Sequence, residues 1–178
     1  MKPATLLAVL ASFVAGALVA LAASDAVARA APPAAPSAYS NASYGFSIVP
    51  PAFPLVEKGM GAQAAMFFAP VKDGFSGNLG VMVQNVKMSL DEYVKLSTGQ
   101  FKQADFKVTT DVRKKVSGRD AAFWEYEGSP QGRDLKWMAL AVVDGERIFL
   151  ITGTSTAGEY EALSKEFKAS IDSFKLTD

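Results

Sequence analysis

Glu125 and Glu127 stand two residues apart in the run AAFWEYE, residues 121–127. On a strand, that spacing puts both side chains on one face, about 6.5–7 Å apart. Two carboxylates so placed fit the acid and base that flank the scissile bond in glycoside hydrolysis. The same face should also receive cations, because Lys107, Arg113 and Lys115 or Lys136 lie in neighbouring runs. Cross-strand charge pairs of that kind contribute about 0.2–1 kcal/mol and belong to a solvated face, not to a reaction centre. Composition closes other chemistries. The 178-residue chain has no Cys and no His. Disulfides, thiol nucleophiles, zinc–thiolate and iron–sulfur sites therefore drop out. So do Ser-His and Cys-His triads, His-held haem and most catalytic zinc sites. The expectation is a chain that is not an enzyme, with no cofactor and no metal.

Two loops carry residue types suited to contact instead. The run KDGFSGN, residues 72–78, sets Phe75 among glycines. An aromatic there can anchor a partner, since aromatics concentrate binding energy, or it can fold back over the sheet edge. The loop lacks the G-x-x-x-x-G-K-[ST] pattern and no long apolar strand precedes it, so it is no phosphate cradle. The run GSPQGRD, residues 128–134, brings Gln131, Arg133 and Asp134 to a hairpin tip, which is either merely solvated or a recognition surface. Phe75, Gln131, Arg133 and Asp134 are the candidate partner-contact residues. Trp124 and Trp137 can wall a small-ligand pocket, although aromatics on adjacent strands more often pack as core. Asn41-Ala42-Ser43 matches a glycosylation sequon, to which no role is given behind an Ala-rich leader of bacterial type.

Lys+Arg and Asp+Glu are both 18, so the totals show no electrostatic footprint for nucleic acid or an anionic membrane. Lys2, an apolar stretch over residues 6–23 and the small-residue site Ala28-Arg29-Ala30 form a signal-peptide pattern. Residues 1–30 are read as a leader cleaved after Ala30. The same stretch is long enough to span a bilayer and becomes a membrane anchor if left uncleaved. A lipoprotein is excluded, because there is no Cys to lipidate. Residues 31–40, rich in Pro and Ala, read as an extended linker. Residues 41–178 read as one folded domain in a periplasmic or secreted protein.

The elements that must position these residues follow from periodicity. Strands are expected over residues 44–49, 64–68, 79–86, 106–116 and 121–127. In the fourth of these, Phe106, Val108, Val112 and Val116 alternate with charges, which predicts one dry face and one wet face. Residues 135–143 and 147–154 flank Asp144-Gly145, the pattern of a tight hairpin whose turn needs φ > 0. A first helix opens at Ser89 with a capping box closed by Glu92, and its apolar face carries Leu90, Tyr93, Val94 and Phe101. A second helix is expected behind a Thr156/Glu159 capping box. Its stripe is Tyr160, Leu163, Phe167, Ile171 and Phe174.

The order and punctuation of these runs resemble the PsbP-like superfamily. The resemblance is carried by YGFSIVPP at 44–51, SLDEY at 89–93, GRDAAFW at 118–124, the long hairpin, and the Phe-rich end at Ser173-Phe174. That group includes the extrinsic photosystem II subunit, a Ran-binding factor and bacterial envelope proteins of the DcrB type. The resemblance implies an α+β fold: an α/β/α sandwich with a central antiparallel sheet of about six strands and two main helices. It also implies an exported accessory protein of the bacterial envelope that acts by contact with another, unidentified envelope protein. The alternative is a small-ligand or lipid-binding module with a pocket between sheet and helix.

Overall fold

The computed structural model describes residues 37–53, 55–58 and 63–177. The leader and the linker up to residue 36 lie outside the described residues. Among the described residues, ten strands and two α-helices run in the order β1 (Tyr39–Asn41), β2 (Phe46–Ile48), β3 (Leu55–Lys58), β4 (Gln63–Lys72), β5 (Phe75–Asn85), α1 (Leu90–Gln103), β6 (Lys107–Val116), β7 (Arg119–Gly128), β8 (Leu135–Asp144), β9 (Arg147–Thr156), α2 (Tyr160–Ser173) and β10 (Lys175–Leu176). The main sheet is antiparallel, with order β3-β4-β5-β9-β8-β7-β6. It is the central sheet of the expected α+β sandwich. It has seven strands because β3, at residues read as turn and loop, pairs with β4.

Side chains on a strand alternate between faces, so each central strand feeds two cores. On one face Leu140, Phe149 and Ile151 pack with Phe167, Ile171 and Phe174 from the α2 end of the chain. On the other, Trp137, Ala139, Ala141 and Leu150 pack with Tyr93, Val94 and Phe101 from α1. The α1 capping box forms as expected: the Glu92 backbone N–H donates to Ser89 Oγ, and the Ser89 N–H donates to the Glu92 carboxylate.

Tertiary structure moves several local features. The opening strand expected over residues 44–49 is β2 of a separate three-stranded sheet with order β1-β2-β10. Phe46 of β2 stacks on Phe174 at 5.7 Å, so this small sheet shares the α2 layer. Thr156 does not cap α2. It is still in β9, paired with Leu135, and Glu159 at the helix entrance has no side-chain cap bond. The 72–78 run is not one loop. Asp73 and Gly74, at φ +50° and +70°, make a two-residue turn, and β5 begins at Phe75. In the long hairpin Asp144 pairs with Arg147, so the turn is Gly145-Glu146, with Gly145 at φ +61°.

The edge strand β6 departs most from its alternation. Val108 pairs with Tyr126 and Thr110 with Glu125, which leaves Thr109 as an extra residue. That bulge inverts the faces beyond it. Val108 therefore lies on the α1 side and Val112, opposite Phe123, on the α2 side, with 38% and 47% exposure. The single dry face expected for Phe106, Val108, Val112 and Val116 does not form. Lysines and Arg113 protect the edge instead.

Candidate functional site

Gly128 ends β7 where the ring of Phe106 lies over the backbone, leaving no room for a side chain. Phe106 in turn stacks on Trp137 at 4.8 Å and on Tyr126 at 5.8 Å. This stack plugs the end of the α1 core and sets the wall of an open cleft. The cleft, about 480 Å³, lies between the chain leaving α1 (Ala104, Asp105) and the Gly128–Asp134 loop, with Ala157 on its far side. Asp105 enters it in the left-handed region, at φ +55°.

Lys107 and Lys136 both reach Glu127, each with Nζ 3.1 Å from a carboxylate oxygen. Hydrogen bonds from Lys136 and then Lys107, reinforced by their charges, hold the Glu127 carboxyl below its ordinary value. Glu125 accepts from the Tyr160 hydroxyl at 2.7 Å and the Thr110 hydroxyl at 2.8 Å. Burial and then the neighbouring Glu125 push the Tyr160 hydroxyl up, so it stays a donor. Lys136 also lies over the Tyr160 ring, 5.7 Å from its centroid.

This arrangement answers the carboxylate question. A glycosidase acid must keep its proton near neutral pH, which requires a raised pKa. Glu127 is shifted the opposite way by two ammonium groups. Of the cations expected opposite the glutamates, Lys107 and Lys136 meet Glu127, whereas Arg113 pairs with Asp91 and Lys115 with Asp120, so the two glutamates form an ion-pair and hydroxyl cluster. Trp124 and Trp137, 0% and 4% exposed, are packing residues. Trp137 lies nearly parallel to Tyr126 at 5.1 Å, and Trp124 meets Phe101 edge-on.

The structure brings the two candidate loops together. Arg133, Gln131 and Asp134 are exposed on the Gly128–Asp134 loop. The Arg133 guanidinium lies 5.5 Å over the ring of Phe75, beside the Asp73-Gly74 turn. Phe75 itself is buried, because the tight turn places it inside β5. It is the platform under Arg133, not the exposed anchor that its glycine-flanked position allows. Gln131 sits at φ +56°, in a conformation unfavourable for a side chain with a Cβ. The Asp134 carboxylate turns inward to accept from Ser129 Oγ, while its carbonyl accepts from the Ala157 N–H. Of the four non-glycine residues with positive φ among the described residues, Asp73, Asp105 and Gln131 all gather at this end. Asp105 carries no sequence signal for the site, since its role depends on where α1 ends relative to β7.

No protein-family model matches the chain, and no curated protein matches it. Solved structures do. Cyanobacterial PsbP from Synechocystis is similar over 88% of this chain and 98% of its own, with a TM-score of 0.61 and 13% identity. A Pseudomonas aeruginosa protein of unknown function, PA94, is similar over 76% of this chain and 93% of its own, at TM-score 0.53 and 14% identity. LpqN of Mycobacterium tuberculosis, described as involved in cell envelope biogenesis, is similar over 64% of this chain and 72% of its own, at TM-score 0.54 and 10% identity. At these identities the likeness shows the fold: the chain has the PsbP-like fold that its sequence resembles.

Proposed function

We propose that this chain is an exported, non-catalytic accessory protein of the bacterial cell envelope, and that it works by docking the loop end of its sandwich on another protein. The observation that carries the reading is Arg133 held over Phe75. An exposed guanidinium fixed on a buried aromatic is already ordered before a partner arrives, so little side-chain entropy remains to be lost on contact. Arg is also enriched among residues that dominate interfaces. The strained Gln131 beside it supports the same reading, because sparsely populated backbone conformations cluster at contact and clamp sites. The leader pattern and the involvement of LpqN in cell envelope biogenesis support an extracytoplasmic place of work.

The test is site-specific photocrosslinking in intact cells. A photoreactive residue at Gln131 is expected to capture one reproducible partner band, identified by mass spectrometry, and Arg133→Ala should weaken it. The same group at Gly118, in the β6–β7 turn, serves as the comparison. Equal capture from both positions, or none from Gln131, removes the docking reading. N-terminal sequencing of the exported chain checks the leader, with Ala31 expected first.

A further inference from the structure

The side of the sheet that carries α1 buries polar side-chain atoms. Gln100 lies on the buried face of α1, and neither its Oε1 nor its Nε2 meets a protein hydrogen-bond partner. Trp124 lies on β7 beneath the helix, fully buried, and its Nε1 is likewise unmet. The Tyr93 hydroxyl, also fully buried, lies beside the Gln84 amide and the Tyr126 hydroxyl. Ser97, between Tyr93 and Gln100 on the helix, is satisfied by its own helix through the Tyr93 carbonyl.

An indole N–H can only donate, and a primary amide both donates and accepts. Folded interiors meet almost all such groups, through protein atoms or through ordered water. Gln100 is long enough to reach solvent from a helix, yet both its amide atoms are buried. The requirement is for a small species that accepts from Trp124 and Gln100 and donates to Gln100 or Tyr93. Water does both, and buried waters typically hold two to four polar partners.

We infer that α1 is seated on the sheet through an internal water site formed by Gln100, Trp124 and Tyr93. This site is distinct from the surface cleft and independent of the docking role. It gives the helix hydrogen-bonded contacts that can exchange with solvent water when the helix lifts, whereas the core under α2 is built mainly on Phe167, Ile171 and Phe174.

Magnetic relaxation dispersion of water nuclei on the purified full chain tests this, because it counts water molecules held longer than the protein takes to tumble. Wild type is expected to hold such water, and Gln100→Leu, apolar and of similar size, to hold less and melt at a lower temperature. The inference is overturned if wild type holds no long-lived water, or if Gln100→Leu keeps the same count. It is equally overturned if the variant melts higher, since that is the response of a dry amide relieved of its burial. Should Gln100→Leu fail to fold, Trp124→Phe removes the indole donor and is read in the same way, while the wild-type count stands alone.

Discussion

Phe167, Ile171 and Phe174 meet Phe149, Ile151 and Leu140 on one face of the main sheet. On the other, Tyr93, Gln100 and Phe101 meet Trp124, Tyr126 and Trp137. The same strands supply both faces, one residue apart. The α2 face is mainly hydrocarbon that interlocks by shape, with Ser170 the buried polar residue of the helix: Gly153 of β9 leaves the space that the Phe167 ring occupies. The α1 face is built from amphipathic aromatics and an amide, whose polar ends must be met as well as packed. Among the described residues, the unmet buried atoms of Gln63, Gln100 and Trp124 all lie on the α1 side. The difference teaches that burial alone does not rank the two helices. One is fastened by apolar area, and the other rests on a layer whose hydrogen bonds set its hold.

The largest test of that contrast is Phe167→Ala. It empties a ring-sized volume from the α2 seat and should cost about 3–5 kcal/mol in denaturant unfolding. A loss well below that range would put the α2 seat on a par with the α1 side. Gly153→Ala attacks the same seat from the sheet. Its Cβ would stand 2.6 Å from Phe167 Cγ, a buried ring and not a flexible tip. Overpacking of this kind should cost about 1–3 kcal/mol, and a neutral result would show that α2 can slide.

Gly99→Ala sharpens the other side. Gly99 lies inside α1, and a Cβ there meets nothing within 4 Å. The substitution should stabilise by about 1 kcal/mol, since Gly is that much poorer than Ala in a helix interior. Native-state hydrogen exchange should then slow selectively at α1 amides. Slowing of α1 and α2 together would mean that the helices open as one unit.

The smallest effect is electrostatic. Burial pushes the Asp172 carboxyl up, but hydrogen bonds from Lys168 and Lys114 outweigh it and hold the group below its usual value. The unfolded chain therefore binds the proton more readily than the folded one. The pair's contribution is complete above the unfolded value of about pH 4 and fades as pH falls through the lower folded value. Lys114 belongs to β6, so this contact ties α2 to the edge strand. Asp172→Asn should cost less than about 1 kcal/mol at neutral pH, with the gap to wild type closing on acidification. A gap that does not change with pH would show that the carboxylate charge plays no part.

Much of this was legible along the chain, for a physical reason. Hydrophobic period, turn chemistry and caps are local, so β7, β8, β9, both helices and the Ser89/Glu92 box could be placed from neighbours in sequence. The pairing of Glu127 with Lys107 and Lys136 was legible too, because hairpin partners follow from turn positions. Thr156 misled because a capping pattern is silent on whether the preceding strand has ended. The β6 face misled because a bulge depends on the partner strand, not on the alternating residues. At the candidate site, Arg133, Gln131 and Asp134 could be picked out as exposed loop residues, but not the ring beneath Arg133.

By itself, then, the sequence determined the two helices and the long strands, though not the short β1, β3 and β10, and it closed the chemistries that need Cys or His, since these depend on residue type and short-range spacing. It also carried the fold pattern, through the order of strands, turns and helices. Only the tertiary structure decided that Phe75 and Arg133 meet, that Asp105 joins the cleft, and that the unmet amide of Gln100 and indole of Trp124 collect under α1. Those outcomes depend on register and on contacts between distant residues. A one-residue shift in pairing exchanges the two faces of a strand, and no local window of sequence contains that information.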